Sequence, residues 1–576
     1  MKNKLRSHKW FWGENETGLL HRGALRSVGI NMDEYSGQPV IGIANTWSEL
    51  NNCNMSLRVI AEEVKKGVYE AGGIPLEFPV ISLGEELMKP SAMLYRNLLS
   101  MDVEESIRSY PLDGVILLGN CDKTVPGLLM GAASANIPTI QLNAGPKKVG
   151  VFNGQRLGSG TDLWKYWDDL RMGKISKDEW EEIGRGLSCG FGSCNTMGSA
   201  STINGILEVL GMMPLGLSTM PVDAVERYTL SRDAGKRIVQ MVLDDLKPSD
   251  IMTLEAFRNA ISVCMALGGS TNSIIHLTAI AGRLGISLYP HEFESIGEIV
   301  PCIADVQPSG TKLIDDFHLA GGMPGLLKQL RSVLDLTVNT FAGKPLAELL
   351  SEDAGIDEAV IRPMDKPVTP APTLAILKGN LAPKGALIKV SAASQNLLIH
   401  TGQAVVFENY SDMLNRIDNP SLEVDASSVL VLKNAGPKGV PGMPEWGMIP
   451  IPKKLSELGV TDMVRLSDSR MSGTSFGTVI LHVSPEAALG NVFSVIQTGD
   501  LIEINIPQRS ISLLVDDEEV SKRLNNWSPP AISHLRGYPL LYMKEVLQAD
   551  EGCDLDFLKP NCKEALHFVE PLVGRS

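Results

Sequence analysis

Positive charge is in deficit in this chain. Against 67 Asp and Glu its 576 residues carry 52 Lys and Arg, a formal net charge of -15 with a pI near 5.2. A polyanion such as nucleic acid or an anionic membrane is not drawn to such a surface, which leaves a small anion in a locally positive pocket as the charged ligand to expect. Long hydrophobic runs are also missing: no stretch approaches the roughly 20 apolar residues that span a bilayer. The segment from Met1 to Glu16 sets Lys2, Lys4, Arg6 and Lys9 among aromatics without the apolar core of a secretory signal. A cytoplasmic protein with no membrane and no nucleic-acid partner is expected. Cysteine is sparse, 8 in all, too few for a disulfide scaffold, so the thiols are free or serve as ligands. Low-complexity tracts are absent, and with 44% hydrophobic and 21% charged residues the chain reads as folded throughout. Its length exceeds what one core organises, so two or more domains are expected.

What cysteine there is falls in a pattern. Cys53 in Asn51-Asn52-Cys53-Asn54, Cys121 in Gly119-Asn120-Cys121-Asp122-Lys123 and Cys194 in Gly192-Ser193-Cys194-Asn195-Thr196-Met197-Gly198 each occupy a short Gly/Asn/Asp segment beside an apolar run. α/β proteins mount chemistry on such turns. Three thiolates from three loops point to an iron–sulfur cluster with one iron left open. Cys264, Cys302, Cys553 and Cys562 have no partner motif and read as small buried or incidental thiols. Cys189, close before Cys194, is either a spare thiol or a competitor for the ligand role.

Several β-branched runs end in these loops and lead into helical patterns. Pro39 to Ala44 precedes the Cys53 loop, after which Ser56 to Glu70 reads as an amphipathic helix; Gly114 to Leu118 precedes Cys121, and Pro126 then opens a helix, as proline does in a first turn. Repeated strand–loop–helix units imply a parallel sheet with functional loops at the carboxyl ends of its strands. Between Arg362 and Pro372 four prolines in eleven residues can continue neither a helix nor a central strand. The main boundary is placed there, giving domains 1–365 and 366–576. Beyond it come short strands, Gly402 to Phe407, Ser428 to Leu432 and Leu501 to Ile506. The fold class is therefore α/β, an N-terminal parallel-sheet domain followed by a smaller β-rich, barrel-like domain.

Adjacent side chains on a loop can face different partners. Cys121 suits iron and Asp122 a hard cation such as Mg²⁺, so the pair marks a junction between two metals. Lys123 beside a cation is anomalous: it is either a salt-bridge partner of Asp122 or a neutral amine carbamylated by CO₂ into an oxygen ligand. Glu85 and Glu86 in Ser82-Leu83-Gly84-Glu85-Glu86-Leu87 and Glu445 in Pro441-Gly442-Met443-Pro444-Glu445-Trp446-Gly447 lie in suggestive loops, although a single Glu is usually just solvated. The hydroxyl-dense run Leu466 to Gly477 is an ordinary polar turn, an anion-binding nest, or the site of a serine base whose alkoxide a neighbouring cation stabilises. His276 and His318 are isolated and read as structural. Gly436-Pro437-Lys438-Gly439 lacks P-loop spacing and no GxGxxG follows a strand, so nucleotide chemistry is not indicated.

Taken together, these loops resemble the dihydroxy-acid and sugar-acid dehydratase family, which also contains phosphogluconate dehydratase. The likeness runs nearly the whole chain through Asn51-Asn52-Cys53-Asn54, Gly119 to Thr124, Cys194 to Thr202, Gly442-Met443-Pro444-Glu445 and Arg470-Met471-Ser472-Gly473-Thr474. It implies Cys53, Cys121 and Cys194 as ligands of a [2Fe-2S] cluster, Glu85, Asp122 and Glu445 as Mg²⁺ ligands, Lys123 as the carbamylated lysine, and Ser472 as the base. A homodimer or homotetramer, with the smaller domain closing over the site, is implied as well. Cys121-Asp122-Lys123-Thr124 and Arg96 to Glu105 look most like the pentonate branch, typified by arabinonate and xylonate dehydratases. The expected activity is dehydration of a sugar acid to its 2-keto-3-deoxy acid. The alternatives are the same chemistry on branched-chain dihydroxy acids and a non-catalytic iron–sulfur sensor. Cys189 is a thiol this pattern does not require.

Overall fold

The computed structural model describes residues 5–350, 355–530, 535–561 and 568–574, so Cys562 lies outside the described residues. Four short apolar strands, β1 (Val40–Asn45), β2 (Ile74–Pro79), β3 (Gly114–Leu118) and β4 (Thr139–Leu142), form a parallel sheet in the order β2-β1-β3-β4. The helices Leu57–Glu70, Met93–Ser109 and Thr124–Ala135 connect them in turn. β1, β3 and β4 are buried along their whole length, as strands covered on both faces must be, which is why they read as continuous Val/Ile/Leu runs. Because the chain moves outward from β1 to β2 and then returns past β1 to β3, a crevice opens at the carboxyl ends of β1 and β3. Asn45 pairs with Leu118 across that edge, so the loops bearing Cys53 and Cys121 leave the sheet at one level.

A two-stranded ribbon follows, β5 (Gly150–Phe152) and β6 (Gln155–Leu157), joined through Asn153 and Gly154, both at positive φ as a tight hairpin turn requires. The second sheet closes on itself. β7 (Leu374–Gly379), β8 (Ala382–Lys389), β9 (Ile399–Phe407), β10 (Val429–Leu432), β11 (Arg465–Ser467), β12 (Val479–Ser484), β13 (Leu501–Asn505) and β14 (Ser510–Leu513) form a barrel in the order β10-β11-β12-β8-β7-β14-β13-β9. Period-two alternation explains its apolar runs. Ala404, Val406, Val429 and Val431 fill the barrel, while Val405, Phe407, Leu430 and Leu432 pack outward under Met413 and Ile449.

β10 and β11 are parallel, and Leu432 pairs with Ser467. The loops carrying Glu445 and Ser472 therefore also leave their sheet side by side. After the barrel the chain returns to the first sheet's helices: Arg96 donates to the Gly552 and Cys553 carbonyls, each at 2.9 Å, and Arg283 pairs with Asp554 at 2.6 Å. Among the described residues no helix is long and apolar enough to cross a membrane.

Candidate active site

Asparagines hold the thiol loops. Asn51 caps the single turn Asn52–Asn54 by accepting from the Cys53 N–H at 3.2 Å, and Asn54 donates to Thr46 and Ser82. Asn120, wholly buried, donates to the Cys53 carbonyl and to the Gly145 carbonyl, each at 2.9 Å, and accepts from the Gly145 N–H. The Gly192 N–H donates to the Asn52 carbonyl and the Ser193 N–H to the Gly145 carbonyl, which draws the Cys194 loop onto the other two. The Cys121 thiol, buried, meets that of Cys53, and this contact together with burial raises its pKa well above the ordinary thiol value. Burial pushes Cys194 up to about 11, against the opposing pull of Lys147. Cys189 is exposed, and its Sγ donates to the Lys148 carbonyl at 3.0 Å. Cys264, Cys302 and Cys553 are buried thiols.

Beside the thiols lies a knot of charge. Lys123, fully buried, places Nζ 2.5 Å from Asp122 Oδ2, 2.8 Å from Glu445 Oε1 and 3.5 Å from Glu85 Oε2. Burial alone would lower its pKa; Asp122, Glu445 and Glu85 together raise it above the lysine range instead. Glu445 Oε1 also accepts from Arg470 Nη1 and Asn272 Nδ2, each at 2.8 Å. Burial would push Glu445 up, but Lys123 and Arg470 bring it down to about 2. Glu85 goes the other way, up to about 7, because burial outweighs Lys123. A quarter of its side chain meets solvent (26%) while Oε2 is enclosed and makes no hydrogen bond.

Ser472 reaches this region from the barrel. Its Oγ lies 2.9 Å from Thr474 Oγ1, and Arg470, two residues earlier, is the guanidinium on Glu445. Gly473 is needed for close approach: a Cβ there would fall 2.5 Å from the Ser199 nitrogen, at the start of helix Ser199–Val209. Asn272, first residue of helix Asn272–Arg283, bonds Ser199 Oγ and the Met471 carbonyl as well as Glu445. The amino ends of three helices, starting at Thr124, Ser199 and Asn272, thus gather around the carboxylates, and their positive ends favour an anionic ligand.

Sequence comparison adds an independent line. Residues 38–349 match the dihydroxy-acid/6-phosphogluconate dehydratase N-terminal family and residues 359–553 its C-terminal counterpart. The chain belongs to this dehydratase family. It is 47% identical to an L-arabinonate dehydratase of Rhizobium leguminosarum bv. trifolii, over 96% of each chain. With a 6-deoxy-6-sulfo-D-gluconate dehydratase of Pseudomonas putida it shares 44%, again over 96% of each. A dihydroxy-acid dehydratase of Halothermothrix orenii stands at 38% over 93% of this chain and 98% of its own. The chain is a hydro-lyase of the sugar-acid dehydratase type, most similar in sequence to the pentonate branch, and the reading as a non-catalytic sensor gives way to an enzyme.

In this dehydratase the residues singled out from sequence fall into two adjoining groups, Cys53 in contact with Cys121 with the loop of Cys194 drawn beside them on one side, and Glu85, Asp122, Lys123 and Glu445 on the other. Among the described residues no three Cys, His, Asp or Glu side chains stand close enough together to hold a metal ion as arranged. The Lys123 ammonium occupies the space between the carboxylates. The donor chemistry nonetheless fits: thiolates suit iron, carboxylates suit Mg²⁺, and the enclosed Glu85 oxygen, which makes no hydrogen bond and has only the Lys123 ammonium 3.5 Å away, keeps its coordination capacity unused. Glu86, exposed, is left outside the knot. His276 accepts from Arg96 and His318 meets Thr219, each at 3.1 Å. Arg470, Asn272 and Asn120 were missed as functional residues; a buried cation and two buried amides give no signal until their partners are known.

Proposed function

We propose that this dehydratase removes water from a sugar acid, a pentonate such as L-arabinonate or D-xylonate, to give the 2-keto-3-deoxy acid. The observation that carries the reading is the junction at residues 121–123, where a thiol meeting Cys53 stands two positions from a lysine that grips Asp122 and, from the barrel, Glu445. Cys53, Cys121 and Cys194 would hold a [2Fe-2S] cluster. Asp122, Glu85, Glu445 and Lys123, once carbamylated, would hold Mg²⁺. When bound, these groups would supply Lewis acidity at the C3 hydroxyl and at the carboxylate and C2 oxygens.

The protein's own residues do the rest. Ser472, as the alkoxide, takes the C2 proton and becomes the hydroxyl that Thr474 orients; the C3–O bond breaks, the proton held on Ser472 passes to the departing oxygen so that it leaves as water and the alkoxide is restored, and the resulting enol becomes the ketone. Arg470 and Asn272 hold Glu445 ionised and aimed. Carbamylation requires that Lys123 lose its proton, form an N–C bond to CO₂ and release a second proton, so the ammonium–carboxylate knot must open first. The helix amino ends orient the substrate carboxylate. We further assign the division of labour to domains 1–365 and 366–576, the second bringing Glu445 and Ser472, in a homodimer or homotetramer.

The test is an anaerobic screen of aldonates for 2-keto-3-deoxy product, with 2,3-dihydroxyisovalerate as the competing substrate. A kcat/KM at least tenfold higher on a pentonate is expected. The reverse order would assign the enzyme to branched-chain dihydroxy acids.

A further inference from the structure

A helix outside the barrel reaches the serine assigned as base. Helix Thr161–Arg171, which follows the ribbon of β5 and β6, lies on the loop that carries Ser472. Thr161, its first residue, donates from Oγ1 to the Thr474 carbonyl at 3.0 Å. Arg171, its last, donates to Asp418 at 2.6 Å and to the Ile451 carbonyl at 3.2 Å. Both ends of the helix are therefore fastened to the chain that builds the barrel. Between them the Trp164 indole N–H donates to Thr474 Oγ1 at 3.3 Å. Thr474 is buried, whereas Trp164 and Ser472 are half-buried.

The chemistry of the three groups gives the contact a direction. An indole N–H can only donate, so Thr474 Oγ1 accepts there. Among the described residues the other side-chain partner of Thr474 Oγ1 is Ser472 Oγ, at 2.9 Å. If Ser472 were the donor, the Thr474 hydroxyl proton would be enclosed without an acceptor, which costs as much as a hydrogen bond left unmade. The arrangement that satisfies every group runs one way, from Trp164 to Thr474 to Ser472. The Thr474 N–H lies 3.4 Å from the same Ser472 oxygen. Ser472 Oγ thus faces two donors of one residue, and its own proton points away from them. Donation to an oxygen favours its charged form, and hydrogen bonds in a chain reinforce one another.

We propose that Trp164 is a positioning residue for proton abstraction: its N–H fixes Thr474 as the donor to Ser472, which leaves the serine oxygen to accept the C2 proton of the sugar acid. The role rests on the reading of Ser472 as the base. It also makes that base depend on contact between the two parts of the chain, since an indole from before residue 365 completes a hydroxyl relay carried by the barrel.

The test compares holoenzyme variants by steady-state kinetics on the aldonate that the substrate screen selects. Trp164→Phe keeps an aromatic ring and deletes the donor; it should lower kcat about tenfold, the order expected for one hydrogen bond, and leave KM within about twofold. Thr474→Val should lower kcat further, and Thr474→Ser should keep more of it than Thr474→Val. Adding Trp164→Phe to Thr474→Val should cost nothing more, because the indole acts only through that hydroxyl. Wild-type kcat in Trp164→Phe, a loss carried by KM alone, or losses that multiply in the double variant would each overturn the relay. Should Thr474→Val fail to fold, the division between kcat and KM in Trp164→Phe decides. The hydrogen bond itself is read without turnover by magnetic resonance of isotopically labelled tryptophan. The indole N–H signal missing from Trp164→Phe should move upfield in Thr474→Val, and a signal that stays in place overturns the bond. If Ser472→Ala turns over at the wild-type rate, the base assignment fails and the role of Trp164 with it. If Ser472→Ala is inactive and Trp164→Phe is unimpaired, the positioning role alone fails.

Discussion

The wall of the site built on the parallel sheet and the wall built on the barrel are held by different forces. On the sheet side neutral amides do the fixing: Asn51, Asn54 and Asn120 tie the thiol loops to backbone groups. On the barrel side the loops are held by charge, with Arg470 and Lys123 both on Glu445 Oε1. An amide network is indifferent to pH and can stay in place whatever occupies the thiols. A desolvated charge knot depends on each member, because removing one leaves another buried and unpaired. The thiol wall is thus held by neutral groups, while the carboxylates could admit the proposed Mg²⁺ only once the internal ammonium of Lys123 had been neutralised.

The largest effect expected is on the thiol wall. In anaerobically prepared protein, Cys194→Ser should abolish the visible absorption of the cluster and Cys189→Ser should leave it; the opposite result would transfer the ligand role to Cys189. Next, Ser472→Ala should retain that absorption and lower kcat by about 10²–10⁴-fold, the usual contribution of a positioned base. Turnover at the wild-type rate would remove Ser472 from the mechanism.

The two kinds of wall can then be compared directly by chemical denaturation. Arg470→Met should cost about 3–5 kcal/mol, as breaking a buried ion pair does. Asn120→Ala should cost about 1–3 kcal/mol, the penalty for leaving buried backbone groups without partners. Equal losses would show that the two walls are held by forces of the same strength.

The smallest effect is a dependence on pH. Glu486, buried, accepts from the Lys438 and Gly439 N–H groups and from Gln548, and burial, reinforced by Asp468, brings it up to about 7. Its folded pKa exceeds its unfolded value near 4.5, so the folded state holds more protons between those values. Stability should therefore fall as pH rises from about 4.5 to about 7 and level off above it. Glu208, also brought up to about 7 by burial, acts in the same direction. Glu486→Gln should lessen the slope without removing it, and an unchanged slope in urea titrations at pH 5 and pH 7 would show that Glu486 does not titrate in this window.

Much of the frame was legible in advance. Gly114–Leu118 is a strand with the expected ends, and the strand read from Pro39 to Ala44 forms one residue later, at Val40–Asn45. The helix assigned to Pro126 starts at Thr124, since a proline is tolerated anywhere in a first turn that needs no N–H from it. The short strands beyond residue 372 could be read singly, but not their closure. β12 pairs with β8 and β14 with β7, so neighbours in the barrel are distant in sequence. Lys123 was harder. Its sequence position allowed a salt bridge or a carbamate, and the structure shows the ammonium paired with carboxylates from both domains.

By itself the sequence determined the family, the parallel-sheet crevice and the set of loops that carry donors, because strand periodicity, turn chemistry and motif spacing are local properties. Only the tertiary structure decided that Lys123 lies among Asp122, Glu85 and Glu445 and that Arg470 and Asn272 share one oxygen of Glu445. The pair Lys123 and Glu445 is separated by 322 positions. A contact of that span depends on how the two sheets dock, and burial, which sets the protonation of these groups, exists only once they have docked.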